Sequence, residues 1–447
     1  MVKTVEKDKK QTTGNVKEEK PIVAIAQANF KENILETCQD ANGKYLLKIS
    51  KETGIAENFG SWKELEDKII VPKNFNMPIS THLASGIEDY GSDRELFAEV
   101  RRFIHDRVDL NPEDELISSV FVFLTCVKEV LSNTPYIHVL GQYGSGKTTF
   151  FKTVGGICYN PITATGNSTI ASIERIIHEL RGTLLLDECD WDRFSSKLWY
   201  ALLRSGYDRT QPYLKSVQVG RTWQTAEFDV FGAKLLVSYE RFYDDALNSR
   251  CFEIVMHKKS RNLISVETAD FMESAEIISL RNKLLLWKSK NLDRIQENYD
   301  SSLFNDLDVS ERVKQMMRPL GNVVKLCLGI DSPEYQEILS VLHKLNGREL
   351  QRKSDSSEAK ILRAIKGLLG NHTFNASTIK ESNPSEFDKT SNQAIGMKLQ
   401  KLGLDTWKKH NNAGNFYTVN EGFKGHLNRL LKEYGIESDN VNTVKTL

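Results

Sequence analysis

The spacing of apolar and polar positions changes several times along the chain, and each change marks an element. Residues 1–20 are rich in Lys, Glu and Thr with almost no large apolar side chain, which predicts a disordered tail. Short apolar runs follow, Ile22-Val23-Ala24-Ile25 and Tyr45-Leu46-Leu47-Lys48-Ile49, with Asn42-Gly43 as a hairpin turn signal. They predict a small mixed β module over residues 21–93. The spacing then turns helical. Leu96, Val100, Phe103 and Ile104 recur every three to four residues, and a second run from Asp114 to Leu131 follows the start signal Asn111-Pro112-Glu113. From Tyr136 to Met256 strand-like and helix-like runs alternate, the pattern of a largely parallel sheet with helices on its faces. Helical spacing returns from Ala275 to about Leu345. Residues 347–357 (GRELQRKSDSS) carry no apolar period and read as a linker, and 358–436 as a further small unit.

Composition narrows the class. The 447 residues allow about three domains, and 60 Lys+Arg balance 60 Asp+Glu. No apolar run approaches the ~18–20 residues of a membrane span. The opening MVKTVEKDKK has no apolar stretch behind its lysines, so no secretory signal is expected. Six scattered cysteines without a CxxC pair suit a reducing compartment, hence a cytoplasmic location, and argue against a zinc cage. The nine histidines show no HExxH spacing. A neutral total leaves a polyanion partner open, because charge is segregated along the chain.

One stretch carries explicit chemistry. Gly141-Gln142-Tyr143-Gly144-Ser145-Gly146-Lys147-Thr148 fits the phosphate-loop pattern GxxxxGK[ST]. Its glycines, with Ser145 and Thr149, let successive backbone N–H groups face one anion. Lys147 reaches the outer phosphates, and the Thr148 hydroxyl coordinates Mg²⁺. An apolar strand (Tyr136 to Leu140) enters the loop, and a helix starting at Lys147 leaves it, adding its dipole to the site. Thr183-Leu184-Leu185-Leu186-Asp187-Glu188 supplies an apolar strand ending in two acids: Asp187 for the metal, Glu188 to polarise an attacking water. ATP and Mg²⁺ are the expected cofactors. Asn282-Lys283 has Leu285 where a guanine-reading NKxD would carry its acid, which disfavours a GTPase.

GxxxxGKT followed by LLLDE resembles the AAA+ ATPases. The resemblance covers roughly residues 94–330 and implies an α/β fold: a P-loop core over 94–270 and a helical lid over 271–346. Phe231 to Ser238 looks like the strand ending in the sensor 1 residue, here Ser238, although that family more often has Asn or Thr there. Asp244-Asp245-Ala246-Leu247-Asn248-Ser249-Arg250-Cys251 resembles the short helix ending in an arginine finger. Such a finger, Arg250 with Arg241 as the alternative, implies a ring or other homo-oligomer such as a hexamer. It also has a physical case, because an arginine beside a γ-phosphate is worth on the order of 10³–10⁵ in rate. Arg312, or else Arg318, falls where the lid's sensor 2 arginine is expected. Residues 212–223 look like the hairpin that MCM-like and superfamily 3 helicases project into a DNA channel, with Lys215 as the gripping residue and Arg221 second.

The last unit is basic: between Lys360 and Lys432 stand 12 Lys/Arg against 5 Asp/Glu, the footprint of a polyanion partner. Helical runs at 358–369, 376–381 and 391–402 precede strands at 404–409 and 415–419 flanking a turn at 411–414. This order resembles a winged helix-turn-helix. Gln393, Lys398 and Lys401 on the third helix, and Lys408, Lys409 and His410 at the wing, would be the nucleic-acid contacts. The expectation is a DNA-dependent ATPase motor, helicase or translocase, with single-stranded DNA in a ring and duplex DNA or a partner protein at the winged helix. The alternatives are an ATP-gated DNA-binding regulator or loader, and a protein-remodelling ATPase without helicase activity.

Overall fold

The computed structural model describes residues 20–436 apart from 66–67, 74–80, 192–195, 269 and 412–413. The tail over 1–19 and the middle of the turn at 411–414 lie outside the described residues. The chain divides into two compact units, one to Ile338 and one from Leu339.

The first unit opens with seven strands: β1 (Ile22–Ile25), β2 (Gln27–Asn29), β3 (Asn33–Asp40), β4 (Gly43–Ser50), β5 (Ala56–Gly60), β6 (Lys63–Leu65) and β7 (Lys68–Pro72). They form an antiparallel four-stranded sheet, β2-β3-β4-β5, and a three-stranded one, β1-β7-β6, in which β1 runs parallel to β7. The β3–β4 hairpin pairs Asp40 with Gly43, so its turn residues are Ala41-Asn42, one place earlier than the Asn-Gly signal suggests.

The helices α1 (Asp93–His105) and α2 (Pro112–Cys126) follow. Ser92 and Glu95 close a reciprocal cap on α1, and the Asn111 side chain accepts from the Asp114 N–H at the start of α2. Next come β8 (Tyr136–Leu140), α3 (Lys147–Gly156), β9 (Pro161–Thr165), α4 (Ile170–Leu180), β10 (Thr183–Asp187), α5 (Ser196–Ser205), a hairpin of β11 (Leu214–Val219) and β12 (Thr222–Glu227), β13 (Lys234–Ser238), α6 (Asp245–Asn248) and β14 (Cys251–Val255). The order of the central sheet is β14-β8-β13-β10-β9, and every pairing is parallel. Strands buried on both faces explain the unbroken apolar runs: all five residues of β8 and of β13 are buried. On one face Tyr136, Leu184, Leu186 and Leu236 pack with Ile173, Ile177, Leu202 and Leu247. On the other, Gly155 lets α3 approach so closely that a Cβ there would stand 2.6 Å from Leu185 Cδ1.

The helices α7 (Ala275–Asn298), α8 (Glu311–Leu328) and α9 (Pro333–Ser354) complete the run, α9 extending past the unit boundary. A buried charge cluster binds the N-terminal strands to α7 and the core. Lys288 Nζ lies 2.8 Å from both Glu36 Oε1 and Gln27 Oε1, and the Tyr159 hydroxyl lies 2.7 Å from Glu36 Oε2. Lys288 and Glu36 are each only 2% exposed, so the ion pair stands in for lost water.

The second unit contains α10 (Ser357–Gly367), β15 (Thr373–Phe374), α11 (Ala376–Ser382), α12 (Pro384–Phe387), α13 (Asn392–Lys401), β16 (Lys408–Asn411), β17 (Gly414–Thr418) and α14 (Glu421–Glu433). Its sheet runs β15-β17-β16, and its own core includes Ile365, Phe374, Ile395, Leu399, Tyr417 and Phe423. Two expectations need correcting. Residues 347–354, read as linker, are the last turns of α9; Glu, Leu, Gln, Arg and Lys are strong helix formers, and Lys353–Glu349 adds a side-chain pair at 3.4 Å. Residues 404–407, read as strand, form a 3-10 turn after Gly403 (φ +70).

Candidate functional site: the two ends of the central sheet

Because the five strands are parallel, every loop leaving a strand opens at one end of the sheet, and every loop entering one lies at the other. Residues 141–148 leave β8 there. Gly141 has no room for a side chain, since a Cβ would meet Ser145 Oγ at 2.6 Å and the Met256 carbonyl at 2.8 Å. Gly146, at φ +96, is the N-cap of α3 and offers no side-chain cap. The first-turn N–H groups of α3 therefore face outward for an anion. Lys147 Nζ bonds the carbonyls of Gly141 and Gln142, the latter at 3.1 Å.

β10 delivers the two acids. Its ladder with β13 ends at Leu186–Leu236 and resumes with the Cys189 N–H bonding the Val237 carbonyl at 2.8 Å, so residues 187 and 188 interrupt that ladder while Asp187 stays paired with Thr165 of β9. Asp187 Oδ1 accepts the Glu188 N–H at 2.8 Å. Glu188 sits at φ +56, a left-handed conformation costing roughly 1–2 kcal/mol for a side-chain-bearing residue. Gly144, Ser145, Gly146, Lys147, Thr148, Thr149, Asp187, Glu188 and Ser238 all border one cavity of about 720 Å³, within the range of small-molecule sites. Sequence reasoning missed further walls of this cavity: Tyr143, Asn167, Asp190, Tyr239, His257 and Lys259. Tyr143 lies inside the phosphate-loop motif and Tyr239 follows the sensor position; the others carry no sequence signal.

The residues fit a Mg-nucleotide. Ser145 Oγ is buried without a partner among the described residues. Thr148 and Asp187 bring two hard oxygen donors to the same cavity, few enough to leave other positions for phosphate and water, as Mg²⁺ prefers. No group of three or more His, Cys, Asp or Glu side chains suited to a metal occurs among the described residues.

Ser238 is less available than its position suggests. Its Oγ is 2.6 Å from His138 Nε2 and 2.6 Å from the Glu240 carbonyl, and the residue is 2% exposed. His138 stacks on Phe242 at 4.0 Å, and burial pulls its pKa down to about 3.

Arg250 stands at the opposite end. It immediately precedes β14, whose first residue pairs with Tyr136 at the start of β8. A five-residue strand, roughly 15 Å, separates it from the phosphate loop of its own chain. There it shares a second cavity of about 400 Å³ with Arg204, Tyr207, Asp208 and Arg312. The buried Tyr207 ring lies 5.3 Å from the Arg250 guanidinium and 4.9 Å from that of Arg312. The Tyr207 hydroxyl accepts from Asn133 at 3.1 Å. Arg312 also bonds the Ser249 carbonyl at 3.1 Å, so the geometry groups it with Arg250 rather than with Lys147. Arg241 pairs with Glu253 at 2.7 Å and Arg318 donates to the Leu303 carbonyl at 3.1 Å, as Arg250 does to the Ala246 carbonyl; neither Arg241 nor Arg318 borders the second cavity.

The hairpin also departs from expectation. Lys215 is at its base, bound to the buried Glu174 at 3.1 Å, while Arg221 is in the exposed turn after Gly220 (φ +62). Val219 and Trp223 beside that turn are 52% and 70% exposed. In the second unit Gln393, Lys401, Lys408 and Lys409 are exposed and Lys398 is half-buried. Among the described residues no helix is long and apolar enough to cross a membrane.

No family model matches the chain, and no curated protein matches it. Similar solved structures include two of the NrS-1 C terminal region in its A apo form. One is 10% identical, covering 66% of this chain and 88% of the other at TM-score 0.31. The second is 9% identical, covering 86% and 96% at 0.34. A full-length MCM homolog from Methanopyrus kandleri is 10% identical, covering 72% and 75% at 0.35. Likenesses this distant assign no residue a role.

Proposed function

We propose that the chain is an ATP-dependent DNA motor of AAA+ type, a helicase or translocase working as a homo-oligomer. The observation that carries this reading is the pair of sites at opposite ends of one parallel sheet. A phosphate loop with Asp187 and Glu188 faces one cavity, and Arg250 with Arg312 faces another that its own phosphate loop cannot reach. Two such ends complete each other only across neighbouring subunits. In that arrangement Lys147 and the loop N–H groups would hold the triphosphate, and Thr148 and Asp187 would hold Mg²⁺, which would supply charge to offset the phosphates. Glu188 orients a water for in-line attack on the γ-phosphorus, with the bond to the β-phosphate oxygen breaking. Arg250 of the adjacent subunit stabilises the charge that develops, and Arg312 assists it.

The basic α10–α14 unit has the helix and strand order of a winged helix, supporting nucleic acid as partner, with α13 and the β16–β17 wing as its contact surface. The hairpin grip passes from Lys215, held by Glu174, to Arg221 and Trp223 at the tip. That same pairing of Lys215 favours a second reading, an ATP-gated DNA-binding loader that does not step along DNA. The test is the steady-state ATPase rate with and without single-stranded DNA across a salt series. Stimulation that fades as salt rises supports the motor; turnover indifferent to DNA overturns it.

A further inference from the structure

The phosphate-sensing position at the end of β13 falls to Ser238 by sequence, but its hydroxyl has no proton to offer. Ser238 Oγ–H has one acceptor in line, the Glu240 carbonyl at 2.6 Å, and its lone pair takes the N–H of His138 Nε2 at 2.6 Å. His138 is neutral and buried, so its single N–H is the one this network assigns to Nε2.

Tyr239 is placed differently. Its side chain is 42% exposed and borders the cavity shared by Lys147, Asp187 and Glu188. The Lys147 ammonium lies 6.0 Å from its ring centroid and 5.7 Å from that of Tyr143, and the two rings are 5.8 Å apart. The Tyr239 N–H donates to Asp190 Oδ1 at 2.6 Å, which fixes its backbone to the loop that carries Glu188. Its hydroxyl makes no hydrogen bond to any described residue.

We propose that Tyr239, not Ser238, distinguishes a nucleoside triphosphate from a diphosphate, its hydroxyl donating a hydrogen bond to the γ-phosphate that Lys147 holds. The inference rests on the nucleotide-hydrolysis reading. A triphosphate draws Lys147 off the two ring faces, contacts that are weak at an exposed site. The released rings are then free to reorient toward the anion while the Asp190 bond holds the Tyr239 backbone in place beside it.

The test uses the full chain with Mg²⁺, measuring binding of fluorescent ADP and of a fluorescent β,γ-imido ATP analogue, together with steady-state turnover. Y239F keeps the ring and loses only the hydroxyl. Its expected result is ADP affinity within twofold of wild type, triphosphate preference reduced about tenfold or more, as for a hydrogen bond to a charged group, and turnover falling in step. Unchanged ADP affinity also shows that the pocket still folds. If Y239F keeps both the preference and the turnover of a wild-type protein that K147A inactivates, Tyr239 is not the sensor. If K147A binds and hydrolyses like wild type, the nucleotide reading falls, and this inference with it.

Discussion

At the carboxyl end of the central sheet, ten of the residues facing the larger cavity come from two unbroken stretches, Gln142 to Thr149 and Asp187-Glu188. At the amino end, Arg204, Tyr207, Arg250 and Arg312 arrive from α5, the loop after it, the turn before β14 and α8. The first end is a backbone device: glycines and a helix N-terminus set its shape, so a short motif must be contiguous to make it. The second is a side-chain device in which two cations share one buried aromatic ring. Nothing requires its parts to be near in sequence, only that the fold bring them together.

The comparison breaks most visibly at the arginines. R250A should lose on the order of 10³-fold or more in turnover while still binding nucleotide, whereas K147A should lose binding itself; titrating fluorescent ATP beside an ATPase assay separates them. R250A turnover within threefold of wild type would remove the amino end from the chemistry. Tyr207 sharpens the contrast next. Y207A empties a buried site against two guanidiniums and should cost roughly 3–5 kcal/mol, while Y207F loses only the bond from Asn133, about 1 kcal/mol. Urea unfolding of the full chain reads both, and equal effects would deny the ring its role.

His138 gives the carboxyl end a pH signature. Its pKa is held at about 3 by burial, against an ordinary 6.5. Below pH 6.5 the unfolded chain therefore binds a proton that the folded one refuses, and stability falls as pH drops. The loss should reach about 2 kcal/mol by pH 5. H138N, which cannot titrate there, should flatten that acid limb; an unchanged limb would contradict the assignment. The smallest effect is expected at the hairpin. W223A should weaken single-stranded DNA binding by about 1 kcal/mol, the lower end of base stacking on an aromatic ring, and K215A by less. The reverse order, read by fluorescence anisotropy, would restore Lys215 as the grip.

Legibility followed the same division. The strand, loop and helix around Gly141 to Thr148, the strand ending at Asp187, the alternation that makes the parallel sheet and the capped helices were readable because each is a local pattern. Arg312 was readable as one of two candidates, with Arg318, for the lid's sensor 2 arginine; its partnership with Arg250 through Tyr207 is a tertiary fact. Lys215 misled because alternation predicts a hairpin but not which end meets Glu174. Ser238 misled because a polar residue at a strand end says nothing of His138, 100 positions away in the chain. Residues 347–354 lacked an apolar period because a helix polar on most sides buries little, not because the chain there is irregular.

The central claim is that one ATP site is completed by two subunits. Mixing K147A, which keeps Arg250 but cannot hold nucleotide, with R250A, which holds nucleotide but lacks the finger, tests it directly. Each variant alone should be inactive, and the mixture should recover a substantial fraction of wild-type ATPase activity as mixed oligomers form. A mixture that stays as inactive as its parts, under conditions where the two chains co-assemble, would contradict the shared site.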